Sequence, residues 1–75
     1  MEDLQLDHLR FVYKSAVERW IAAIREEEDL ATPDHSMVAV EAWDQAAFKE
    51  EAARGDAKAA RQEYADALRK VLYNF

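Results

Sequence analysis

Cysteine is absent from this 75-residue chain, and glycine and proline occur once each. Without cysteine there is no disulfide, thiolate metal site, iron–sulfur cluster or thiol nucleophile. A single glycine cannot build a glycine-rich phosphate loop. The longest unbroken apolar run, Trp20-Ile21-Ala22-Ala23-Ile24, is far too short to span a bilayer. No basic segment followed by an apolar core opens the chain, so no secretory signal is legible and a cytoplasmic location is expected. Basic residues are also in deficit, ten against sixteen acidic ones, for a net charge of −6. That sign disfavours phosphate backbones and anionic membrane surfaces as partners. Residues 1–36 carry a net −5 and residues 37–75 a net −1, which places the expected electrostatic face on the N-terminal half.

What remains is strongly helix-forming. Fifteen residues are alanine, and glutamate, arginine, lysine and leucine supply much of the rest. No window alternates with the period of a strand. The chain therefore reads as all-α, a single helical domain over residues 1–75. A domain this small has a marginal core and, lacking disulfides, must rely on regular helix packing or on a partner subunit.

A first helix is expected over about residues 4–29. Leu9, Val12, Tyr13, Ala16, Val17, Trp20, Ile21 and Ile24 recur at spacings of three and four and share one broad face. Asp3 or Asp7 is placed to cap its start. Thr32-Pro33-Asp34 then reads as the opening of a second helix, with Thr32 as cap and proline at the first helical position. Beyond it Ala39, Ala46, Ala53, Ala60 and Ala67 recur every seven residues, flanked by Trp43, Ala57, Tyr64 and Val71 and interrupted by Glu50. Such a seam of small residues calls for a close helix–helix contact.

Gly55-Asp56 leaves two architectures open. If glycine ends a helix and aspartate caps the next, the helices run over about 33–54 and 56–74, forming a small antiparallel three-helix bundle. Trp43 then faces the Trp20 level, Ala57 and Ala60 face Leu9, and Leu68, Val71 and Leu72 return beside Val17, Ile21 and Ile24. If the helix runs through, the chain is a long helical hairpin that dimerises into a four-helix bundle. Its last dozen residues, from Tyr64 on, would then project uncovered until a second subunit joined. The three-helix form is the first expectation.

Candidate chemistry is sparse. Arg54-Gly55-Asp56 matches the tripeptide of cell-adhesion ligands, but it sits in helix-forming sequence rather than an exposed loop and reads as a turn or a strained helix. Residues 55–68 resemble the second helix of a tetratricopeptide repeat, with Ala60, Tyr64 and Ala67 at that motif's spacings. The preceding helix departs from it at Asp44, Ala47 and Phe48, and no second copy follows. His8 and His35 lie far apart in sequence with no second good ligand on either helix face, so no metal site is assigned. Glu26-Glu27-Glu28-Asp29 is the densest charge run and reads as a solvated helix end. Ser15 and Ser36 lack any nucleophile context. No catalytic residue, cofactor or metal is therefore expected.

Eight aromatic residues are the remaining signal. Surface aromatics anchor interfaces, and Phe11, Trp43, Phe48, Tyr64, Tyr73 and Phe75 are the candidate interface residues, with Phe48 expected to be exposed before assembly. The sequence is thus expected to encode a small acidic helical interaction module. It should associate with itself, most simply as a dimer, or with another protein, without catalysis, nucleic acid or membrane. The alternative expectation is a helical domain that binds a small ligand or metal near Trp20 and Trp43 or through the histidines.

Overall fold

The structure is a computed structural model that describes residues 2–73, with side chains from Leu4 onward. It contains two helices, α1 (Glu2–Leu30) and α2 (Met37–Tyr73), packed antiparallel as a hairpin. At about 1.5 Å per residue, the 37 residues of α2 account for the full 56 Å length of the molecule, whose other extents are 17 and 12 Å. The hairpin is one helix thick.

The three-helix bundle is therefore not formed, and the breaks expected near residues 54–56 do not occur. Gly55 lies in the interior of α2, and a Cβ built on it meets no atom within 4 Å. The flanking residues are good helix formers. One glycine costs a helix only about 1 kcal/mol relative to alanine, too little to break a run of this length.

The start of α2 is also later than Thr32-Pro33 suggests. Ser36 is the cap: its carbonyl accepts the Val40 N–H at 3.0 Å, and its hydroxyl oxygen accepts the Ala39 N–H at 3.2 Å. Thr32 and Asp34 instead make successive side-chain turns. Thr32 Oγ1 accepts the Asp34 N–H at 3.1 Å, and Asp34 Oδ1 accepts the Ser36 N–H at 3.0 Å. Such local bonds compete with helical ones. Here they carry the chain across the gap between two helix axes before α2 begins.

Both helices present seven-residue repeats to each other. In α1 the seam runs through Leu6, Leu9, Tyr13, Ala16, Trp20, Ala23 and Leu30; in α2 it runs through Ala46, Glu50, Ala53, Ala57, Ala60, Tyr64 and Ala67. Ala57 and Ala60 pack on Ala16, with Val12, Tyr13, Val17 and Trp20 around them, not on Leu9. Tyr64 stacks on Tyr13 with ring centroids 6.2 Å apart. The small residues Ala46, Ala57 and Ala60 of the α2 seam are buried there together with Ala16 of α1.

Register corrects two further expectations. Trp43 is level with Leu30 and the loop rather than with Trp20, whose partner is Glu50. The end of α2 is not left bare by α1, because Ala67 and Lys70 share a hollow with Gln5 and Leu9. The six-residue loop and the early start of α1 shift the overhang to the other end, where the first turns of α2 run past Leu30. Leu68, Val71 and Leu72 therefore lie beside the start of α1, far from Ile21 and Ile24.

Candidate interaction surface

The interior of this hairpin is very small. Among the described residues only Ala16, Ala46, Ala57 and Ala60 are buried, and no large side chain is fully enclosed. Two helices in one layer can cover only the line along which they touch. The apolar arc of α1 is wider than that line, so part of it has no partner.

Helix geometry fixes where the uncovered part lies. In an antiparallel pair, the residues that follow the seam on one helix sit on the same side as those that follow it on the other. One side therefore holds Gln5, Val12, Arg19 and Glu26 beside Lys49, Asp56, Glu63 and Lys70. It is polar, and the Lys49–Glu26 ion pair, 3.4 Å long, bridges the two helices there. The opposite side holds Arg10, Val17 and Ile24, with Lys14 and Ile21 next to them, beside Val40, Ala47, Arg54, Arg61 and Leu68, with Leu72 next to those. Ile21, Ile24, Val40 and Trp43 are each 41–44% exposed, partly covered and open on this side. This is the apolar face.

Arg54 and Arg61 lie across the middle of that face. Arg54 is held by Glu50, its guanidinium donating to Oε1 at 3.1 Å while Glu50 Oε2 accepts the Trp20 indole N–H at 2.7 Å. Glu50, the residue that interrupts the alanine repeat, thus serves two donors at once. Its side chain is only 15% exposed.

At the loop end an open hollow of about 390 Å³ is walled by Leu30, Pro33, His35, Ala39, Val40 and Trp43, among others. Thr32 and Asp34, which also line it, are bonded within the loop itself. Asp34 Oδ2 accepts the Ser36 hydroxyl at 3.1 Å, and Thr32 Oγ1 holds the Asp34 amide. Among the described residues no group of three histidine or carboxylate side chains is placed to hold a metal ion. His8 is at the open end of the hairpin and His35 at the loop, both exposed.

The six aromatic candidates do not form one patch. Trp43 borders the apolar face. Tyr64 belongs to the seam against Tyr13. Phe48 is 71% exposed on the outer side of α2 and Phe11 67% exposed on the outer side of α1, both away from the seam. Tyr73 is exposed in the last turn of α2, and Phe75 lies outside the described residues. The sequence reading missed Ile21 and Ile24 as surface residues because it gave them a third helix to pack on. The width of the α1 apolar arc, reaching from Val12 round to Ile21, was the available signal.

Arg54-Gly55-Asp56 lies within α2, with Arg54 tied to Glu50, so it forms neither a turn nor an exposed loop. Among the described residues no helix is long and apolar enough to cross a membrane. No protein-family model matches the chain, and neither a curated protein nor a solved structure is significantly similar to it.

Proposed function

We propose that this protein is a small helical interaction module that works by self-association, two hairpins sharing one core, with no catalytic step of its own. The observation that carries this reading is the mismatch between inside and outside. Four alanines make up the buried set, while Ile21, Ile24, Val40 and Trp43 stop partly covered along one side. A chain of this size without disulfides gains little from burying methyl groups alone, about 0.8 kcal/mol per CH2. A second layer would bury the isoleucines and Trp43 and turn a two-helix layer into a four-helix core. Size supports the same reading, because the broad side of the hairpin, 56 by 17 Å, offers roughly 950 Å². Stable interfaces use about 800 Å² per partner.

Light scattering on a sizing column across a wide concentration series tests it. The expected mass is twice 8.7 kDa, with helicity and thermal midpoint rising together with concentration. A cooperatively folded monomer at every concentration would overturn the reading.

The hollow beside Trp43 supports a second reading, an apolar small-molecule site. Its volume lies within the range of ligand pockets, about 300–1,000 Å³, at 390 Å³. Tryptophan emission and melting temperature measured with a hydrophobic dye distinguish the two. A dye that raises the melting temperature of a monomer favours the pocket; a dye displaced as the dimer forms favours the shared core.

A further inference from the structure

Folding into a hairpin sets the middle of the chain apart from its two ends. Gly55 is the midpoint of α2, and Arg19 of α1 is at about its level in this register. The loop half of the hairpin, residues 20–54, holds nine acids against three bases, a net of −6. The half that carries both chain ends, residues 1–19 and 55–75, holds seven acids and seven bases, a net of zero. The whole net charge of the protein thus sits at one end of a 56 Å rod. The electrostatic division expected between the two halves of the chain becomes a division between the two ends of the molecule.

This polarity bears on how a second copy can dock, granted the self-association proposed above. Two hairpins pressed together by their apolar faces can lie with loop ends together or with each loop end over the other's open end. With loops together, α2 of one copy lies over α1 of the other. With loops apart, α2 lies over α2 and Arg54 and Arg61 of the two copies come closer, a cost confined to two flexible side chains per copy. The ends carry more charge. With loops together, two charge sets of −6 would share one end of the bundle. With loops apart, each meets a neutral set that includes Arg10, Lys14, Arg69 and Lys70. Like charges brought together cost free energy in an orientation-dependent way. The apolar surface agrees with this choice. The loop end offers Val40 at the open hollow beside Trp43, with Ile24 and Ile21 nearer the middle of the face, and the other end offers Leu68 and Leu72, the latter 68% exposed.

We propose that two copies pair antiparallel, the loop end of each on the open end of the other, with Leu68 and Leu72 of one copy covering the Trp43 hollow of its mate. The two-fold axis passes across the helices near Gly55.

The absence of cysteine gives single-cysteine variants no background, so pulsed dipolar spectroscopy can measure the pairing directly. Glu41→Cys and Arg69→Cys place spin labels on exposed sites, each fourteen residues from Gly55 on either side. At 1.5 Å rise per residue, antiparallel pairing separates like labels by about 42 Å in either variant. Parallel pairing keeps them within about 25 Å, the width of a four-helix bundle plus label arms. Distances near the longer value in both variants support the proposal. Short distances in both overturn the orientation while leaving self-association standing. No dipolar coupling at concentrations where both variants remain helical overturns self-association, and the proposal with it.

Discussion

The indole N–H of Trp20 donates to a carboxylate oxygen of Glu50, thirty residues away, at 2.7 Å, a bond that ties the two helices together across the seam. Both side chains are partly buried, so neither group can exchange its partner freely for water. Arg54 occupies the other oxygen of the same carboxylate at 3.1 Å. An acid that breaks an apolar repeat in the sequence thereby becomes the polar fixture of the seam. The carboxylate has to sit beside Ala53 and Ala57 because that is where α1 delivers Trp20.

Glu50→Ala should cost about 1–3 kcal/mol, since it strands a half-buried indole donor. Glu50→Gln keeps an acceptor for Trp20 and loses only the ion pair to partly exposed Arg54, a loss of under about 1 kcal/mol. Chemical denaturation followed by circular dichroism measures both. Equal losses would mean that the indole bond contributes nothing.

Gly55→Ala should stabilise the protein, by up to about 1 kcal/mol, because the site is helical and a methyl group meets no atom there. A rise in the denaturation midpoint is the expected result. A fall would show that the helix does break at this residue.

Ser36→Ala should remove the α2 cap and cost about 1 kcal/mol. Thr32→Ala touches only an exposed loop turn and should stay within about 0.5 kcal/mol of the parent. The pair of variants separates the helix start seen here from the one that Thr32-Pro33 advertises in the sequence. Amide exchange at Val38 and Ala39 should speed up in the first variant alone.

Ala57→Leu should destabilise by about 1–3 kcal/mol, because Ala57, at 3% exposure, is packed in the seam with Ala16 and Ala60 and leaves no room for a larger side chain. Ala59→Leu, one turn's side away and exposed, should be near neutral. If both were tolerated, the close approach along the alanine seam would be wrong.

Ile24→Glu should lower the solution mass to that of one chain, with helicity falling as the shared core is lost. Phe48→Glu should leave the mass unchanged, since Phe48 points away from the apolar face. The opposite pattern would move the contact to the outer side of α2, where the sequence alone places Phe48 as an anchor.

The sequence by itself determined that this chain is helical, where the first helix lies and which alanines line the close contact. Those features depend on residue propensity and on spacing within one helix, both of which are local. It also marked residues 29–36 as the break between helices, but named Thr32 as the cap where the structure uses Ser36. Tertiary structure decided the rest. Gly55 could have been a turn or a helical residue, and the two differ by about 1 kcal/mol of local preference, so only packing along all of α2 could choose. Ile21 and Ile24 read as core as long as a third helix was available to cover them. Once α2 runs unbroken, no such helix exists, and they remain at the surface. The charge of residues 20–54 can be summed from the sequence, but that this stretch forms one end of the molecule was decided only by α2 running unbroken, which makes the chain a single hairpin.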